Sequence, residues 1–330
     1  MLPVLNYVRA HHSIEPEMSP RLSIPTAFSL LGRRLTEIAT CELLLFANFP
    51  TWAPVLPLYL LSYVVDNSSP LFRPIGSVVR SIRSAIYRSF GIRILATRPF
   101  GSLRFYCDLD GVYHIATEFL KGETLDLISP RDRVFLDIGA HYGLVSARMA
   151  SLLPRSLQVI AIEAHPANYR TLERNIALNQ LTNVRAFNFA IANFTGTTEM
   201  QAHDGISTHY KLTGRDVDAN SPRKVQCYEL PDVLARLGID HVDLVKLDIE
   251  GLEFKVLQTC FPALTGKVGK MDIEVHHLID VAPTRNLLIS NGFVVHVKRW
   301  GILSESYRVI AEKNNSSVVD PTDIPIDLAA

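Results

Sequence analysis

Four stretches carry residue types at spacings that could do chemistry: Asp137-Ile-Gly-Ala-His-Tyr-Gly143, Glu163, Asp248-Ile-Glu250, and the alternating trio Asp272, Glu274 and His276. Gly139 and Gly143 bracket a turn in which a backbone lacking Cβ can take unusual φ and come close to a bound molecule. The free N–H groups of a following helix would point at the same place. The pattern is not G-x-G-x-x-G, which fits a pyrophosphate, because Asp137 sets a carboxylate at the strand end where a phosphate would be repelled. A nucleoside with an uncharged or cationic tail fits better. Glu163 closes the next expected strand, where an acidic side chain can grip both ribose hydroxyls, at about 1.5–3 kcal/mol for a charge-assisted bond. The plainer readings are an ordinary tight crossover at the glycines and a solvated strand-end Glu163.

The second half of the chain supplies acid–base groups. Asp248 and Glu250 follow the fourth expected strand, and Asp272, Glu274 and His276 share one face of the fifth. Carboxylates inside a sheet are costly unless its end opens into a polar cleft. A hydroxyl is a poor nucleophile and needs its proton removed as it attacks, so a base is expected here. His276 is expected to titrate nearest neutral pH and is the first candidate, Asp248 the second, with Glu250 and Glu274 beside them. Glu274 and His276 can equally be structural hydrogen-bond partners. Asp248 and Glu250 could also hold a divalent metal, but two carboxylates beside a glycine are weak evidence for one, and no metal is the expected reading.

The elements that must position these residues alternate. Strands are expected at 133–138, 158–163, 184–190, 242–247, 270–276, 293–298 and 307–311, with helices at 144–153, 168–178, 230–237, 252–260 and 283–291. This is an α/β chain with a doubly wound, seven-stranded Rossmann-like sheet. The link at Trp300-Gly301 is too short for a parallel crossover, so the last two strands should be an antiparallel edge pair. A hairpin is expected over residues 100–114, turning at Asp110-Gly111.

The N-terminal part differs. Residues 1–95 read as a loose arm followed by an apolar, mainly helical extension, residues 96–312 as the catalytic domain, and residues 313–330 as a disordered tail. Leu43 to Val65 carries no charge, and as a helix would be about 35 Å long, enough to span a bilayer. Pro50, Pro54 and Pro57 argue against a straight span. Behind it, Ile75, Val78, Val79, Ile82, Ile86 and Phe90 form an apolar stripe beside Arg80, Arg83 and Arg88. Residues 43–90 should therefore either cap the catalytic domain or contact an anionic membrane surface. Lys plus Arg equals Asp plus Glu at 33 each, which leaves no global field for nucleic acid. The four cysteines are isolated, as in a reducing, cytoplasmic compartment.

Asp137-x-Gly-x-x-x-Gly143, Glu163-Ala-His-Pro166, Asn175 to Asn179, Asn183-Val184, Lys246-Leu-Asp-Ile-Glu-Gly-Leu-Glu253 and Glu274-Val-His276 resemble, in order and spacing, the FkbM-type methyltransferases. The similarity covers about residues 115–312. It implies an S-adenosylmethionine-dependent O-methyltransferase of class I fold, acting on a hydroxyl of a sugar, lipid or natural-product acceptor. Cofactor contacts are implied at Asp137, Gly139, Ala140, His141, Gly143, Glu163, Ala164, Ala190 and Asp248. The chain departs from the family where His141 stands for Asn, Ala164 for Pro and Leu230-Pro231-Asp232 for Leu-Asp-Asp. The competing readings are a membrane-tethered binding protein that keeps the fold without catalysis and a nicotinamide-dependent reductase. Retained Asp137, Glu163, Asp248 and Glu250 speak against the first, and the missing G-x-G-x-x-G against the second.

Overall fold

A computed structural model describes residues 78, 93–96, 103–107, 123–153, 156–202, 210–213, 224–264, 266–299 and 306–313. The arm, the uncharged run, most of the arginine-bearing segment, the 110–111 turn and residues 314–330 lie outside the described residues. Lys313, assigned from sequence to the tail, ends the last strand.

The chain order is β1 (Arg93–Ala96), β2 (Arg104–Cys107), α1 (Glu123–Asp126), β3 (Val134–Ile138), α2 (Leu144–Leu152), β4 (Gln158–Ile162), α3 (Pro166–Leu178) and β5 (Val184–Phe187). It continues through β6 (Ala190–Ile191), β7 (Gly196–Ala202), β8 (Tyr210–Thr213), β9 (Lys224–Tyr228), α4 (Leu230–Leu237) and β10 (Val242–Leu247). Then come α5 (Glu253–Leu264), β11 (Val268–Val275), α6 (Leu278–Ser290), β12 (Phe293–Arg299) and β13 (Tyr307–Lys313). The main sheet runs β12-β13-β11-β10-β3-β4-β5. β10, β11, β3, β4 and β5 are parallel, while β13 is antiparallel to both β11 and β12. The expected seven-stranded Rossmann-like sheet with its antiparallel edge pair is present.

The strands are apolar on both faces because both faces are covered. Phe135, Val159, Ala161 and Leu244 pack with Val145 and Met149 of α2 and Leu172 of α3. Their alternating neighbours Leu136, Ile138, Ile160, Ile162, Val245 and Leu247 pack with Leu234 of α4, Val256 and Phe261 of α5 and Leu288 of α6. Two cores result, one on each side.

The order of strands reverses between β3 and β10, and the crevice at their carboxyl ends is where open α/β sheets take ligands. Asp137 and Glu163 stand at the ends of β3 and β4, and Asp248 follows β10. Asp243 ties the entry to β3, its Oδ2 accepting the N–H groups of Arg133 and Val134 at 2.7 and 2.9 Å.

β2 pairs antiparallel with β1, and the strand expected after the 110–111 turn lies outside the described residues. One feature differs from the sequence reading. A second sheet, β6-β9-β7-β8, is inserted between β5 and α4. What reads in sequence as one strand through residue 190 is divided into β5 and β6, and β6 pairs with β9 instead.

Asp272 shares a face with the candidate acid–base groups yet is spent on structure. It lies buried, with Arg308 of β13 donating Nε to Oδ1 at 2.6 Å and a terminal nitrogen to Oδ2 at 2.7 Å. Thr124 of α1 adds its hydroxyl to Oδ2 at 2.5 Å. Arg308 is itself fully buried, so this pair and Thr124 satisfy charges that would otherwise be prohibitive inside the sheet. Cys227 and Cys260 are buried free thiols, and Cys107 is buried as well.

Candidate active site

The glycine turn leaves no room for a side chain at either glycine. Gly139 has φ 82°, and a Cβ there would stand 1.8 Å from the carbonyl oxygen of Asp248. The turns after β3 and β10 therefore close on one another only with glycine at this position. Gly139 and Ala140 both donate to the Ile162 carbonyl, and Asp248 N–H to that of Ile138, which binds the three strand ends together. Gly143, at φ 79°, starts α2 and lies under Leu172. Asn175 of α3, buried, donates Nδ2 to the Tyr142 carbonyl at 2.8 Å and so fixes the turn from behind.

A cleft of about 1060 Å³, its open mouth included, lies over this turn. It is lined by Asp137, Gly139, Ala140, His141, Glu163, Ala164, Ala190, Asp248 and Glu250. Of the expected cofactor residues, Gly143 alone is not on its wall; it acts by starting α2. Glu274 and His276 are not on the wall either. The sequence reading had no role in the site for Asn168, Phe189, Ile191, Met200, Lys246 or Leu252, which are among its other lining residues.

Glu163 is buried, and its carboxylate accepts two backbone N–H bonds at 2.8 Å, from His141 at Oε2 and from His165 at Oε1. These bonds, with one from the Asn168 side chain, orient the carboxylate and leave it lone-pair capacity for a further donor. Burial pushes its carboxyl up to about 7, against the pull of those two N–H groups and of Asn168. Asp137 is also raised by burial, which outweighs the attraction of Lys246 and the bond from Ser146. Ser146 Oγ donates to Asp137 Oδ2 at 2.6 Å, while the buried Oδ1 has no hydrogen-bond partner among the described residues. A buried acceptor without a donor costs on the order of 1–3 kcal/mol, and one on a cleft wall awaits a ligand's N–H or ammonium.

Beyond Lys246, whose Nζ lies 3.1 Å from Asp248 Oδ2, the acid–base groups converge on His276. Its Nδ1 sits 2.9 Å from Glu253 Oε1. Its Nε2 is 3.5 Å from Glu250, 3.7 Å from Asp248 and 3.9 Å from Glu274. Glu253, buried at the start of α5, also accepts the N–H groups of Ile249 and Gly251 and so shapes the loop carrying Asp248 and Glu250. Burial alone would push His276 down, but the Glu253 hydrogen bond and the charges of Glu253, Asp248 and Glu250 outweigh it and push it up to about 10. Glu250 and Glu274 are raised by burial and by their like-charged neighbours, with His276 opposing. The expectation that His276 titrates near neutrality is corrected: the Glu253 hydrogen bond and the charges of Glu253, Asp248 and Glu250 push it well above its ordinary value.

Residues 137–295 match the family model described as the methyltransferase FkbM domain. This stretch of the chain is an FkbM methyltransferase domain. It contains Asp137, Glu163, Asp248 and His276. The chain is 26% identical over 207 residues to Methyltransferase 1 of Beauveria bassiana, covering 56% of this chain and 83% of that protein. It is 25% identical over 149 residues to the 2-O-methyltransferase NoeI of Sinorhizobium fredii, covering 41% and 60%. The AMB antimetabolite synthetase AmbE of Pseudomonas aeruginosa is 26% identical over 222 residues, which is 55% of this chain and 10% of AmbE. The chain thus spans only a tenth of that relative.

Proposed function

We propose that the chain is an S-adenosylmethionine-dependent O-methyltransferase acting on a hydroxyl of a sugar, lipid or natural-product acceptor. The observation that carries the cofactor is the pairing, on one cleft wall, of Asp137 Oδ1 without a donor and the doubly oriented Glu163 carboxylate. The first suits an ammonium and the second a ribose diol, and the carboxylates repel the phosphates of a nicotinamide dinucleotide. Phe189, Ile191, Met200 and Leu252 supply apolar wall for a base. The residues present therefore fit the group.

Bound there, S-adenosylmethionine supplies a methyl on a positively charged sulfur. The chain's own part is positioning and proton removal. Asp137 and Glu163 hold the two polar ends of the cofactor, and the Gly139 turn allows backbone contact between them. Asp248 and Glu250 are the catalytic candidates on the cleft wall, and Asp248 Oδ1 is the oxygen we assign to take the acceptor's proton. Glu253, His276 and Glu274 stand behind and set the position and charge of these two carboxylates. Support for oxygen as the acceptor comes from the similarity to NoeI, a 2-O-methyltransferase.

Incubating the full chain with methyl-labelled S-adenosylmethionine and a panel of glycans, lipids and polyketide alcohols tests this. Label recovered as a base-stable methyl ether supports O-transfer. Label on nitrogen, or none with any acceptor while the cofactor binds, removes it. We also propose that residues 43–90 bring the enzyme to a membrane surface; among the described residues no helix is long and apolar enough to cross one.

A further inference from the structure

We propose that Asp248, Glu250 and His276 form a site for one divalent first-row metal ion of the Mn2+ type. One oxygen from each carboxylate and Nε2 of the imidazole lie within 4.8 Å of one another. The spacings from Nε2, 3.5 Å to Glu250 and 3.7 Å to Asp248, are too long for hydrogen bonds. Donors about 2.1 Å from a shared ion stand roughly 3.0–3.6 Å apart, so a small closing movement seats a cation between all three, with the Nε2 proton released to solvent as the ion takes its place.

The imidazole is held from the far side as metal-bound histidines are. Nδ1 meets the buried Glu253 at 2.9 Å, an arrangement that fixes the ring and turns Nε2 toward the two carboxylates. Glu253 is anchored in turn by the Ile249 and Gly251 N–H groups, so the same carboxylate that orients the imidazole also shapes the loop bearing the other two donors. Glu274 completes four carboxylates within 3.9 Å of one imidazole, and Ser306 donates to it at 2.7 Å. The three donors follow two different strands, and only the pairing of β10 with β11 brings them together.

The donor set selects among ions. Two carboxylates and one imidazole are harder than a zinc-thiolate site and softer than the all-oxygen cage of Ca2+, which suits Mn2+ and its neighbours. Asp248 and Glu250 line the cleft, so coordination positions left by three protein ligands open toward it. With the ion bound, Asp248 serves as a ligand rather than as the base, and an acceptor oxygen placed there is polarised so that its proton leaves to solvent instead of to Asp248 Oδ1. The ion site deepens the proposed function and rests on it for the identity of that oxygen, while the site itself rests on geometry alone.

Electron paramagnetic resonance of the metal-stripped full chain titrated with Mn2+ provides the test. One bound Mn2+ per chain is expected, with nitrogen modulation in the echo envelope from a directly coordinated imidazole. His276→Ala should abolish that modulation, and Glu250→Gln should weaken Mn2+ binding roughly tenfold or more. S-adenosylhomocysteine binding, retained in both variants, shows that they fold and separates this site from the cofactor site. Absence of stoichiometric Mn2+ in the wild type, or a bound ion without nitrogen modulation, overturns the proposal whatever the variants do. Failure here with intact S-adenosylhomocysteine binding leaves the methyltransferase reading standing.

Discussion

Replacing Glu163 by glutamine should change how stability depends on pH in a calculable way. Glu163 has a folded-state pKa of about 7 against a reference of 4.5, because burial disfavours its charge. The folded state therefore holds this proton more tightly than the unfolded state. The associated stability is fully present below pH 4.5 and is lost as pH rises through about 7. At about 1.4 kcal/mol per unit, the wild type should lose about 2–3 kcal/mol between pH 5 and pH 8 through this group. The amide of the Glu163→Gln variant cannot titrate, and it offers one acceptor where the carboxylate offers two, so the variant also carries a constant offset from the His141 and His165 N–H groups. The offset cancels when the two pH profiles are compared. Urea unfolding of the full chain at half-unit intervals, extrapolated linearly, gives both profiles. The difference between them should shift by about 2–3 kcal/mol over that range. Parallel profiles would show that Glu163 is already ionised at pH 5 and that burial does not dominate its environment.

Gly139→Ala should destabilise the chain by about 2–4 kcal/mol, read from the urea midpoint, because its Cβ would meet the Asp248 carbonyl at 1.8 Å in a left-handed backbone. A neutral result would mean the β3 and β10 turns do not approach as described. Arg308→Ala, which leaves Asp272 charged and unpaired in the sheet, should cost about 3–5 kcal/mol. Adding Asp272→Asn to it should recover part of that loss, and two additive penalties would deny the pairing. For the proposed membrane contact, sedimentation with anionic vesicles should be weakened by salt if the arginines dock it, at about 1 kcal/mol each, and be insensitive to salt if the apolar run inserts. Protein left in the supernatant under all conditions removes both forms.

The glycine-turn end of the cleft was legible because it is local in sequence. Asp137 and the glycines belong to one strand-turn-helix unit, and Glu163 ends the next strand, so type and spacing place them without any long-range pairing. The catalytic end was not. His276 reads as a group of ordinary acidity until Asp248, Glu250, Glu253 and Glu274 are seen to surround it, and they reach it from the ends of β10 and β11 and the start of α5. Asp272 could not be told from its neighbours on β11 because its partner Arg308 enters only through the antiparallel β13 register. The β6–β9 sheet escaped for a different reason. Its strands are two to seven residues long and rich in Thr, Gln and Lys, which hides the period of two. Met200 on the cleft wall was lost with it.

Calorimetric titration of the full chain with S-adenosylhomocysteine, in two buffers of different ionisation heat at pH 6.5, tests the central claim most directly. Saturable one-to-one binding is predicted, with a proton released as ribose hydroxyls draw Glu163 into its charged form. Glu163→Ala should weaken that binding by about 1.5–3 kcal/mol, roughly 10- to 150-fold. Absence of binding, or the same affinity in the variant, or saturable binding of NADPH instead, would contradict the assignment of this cleft.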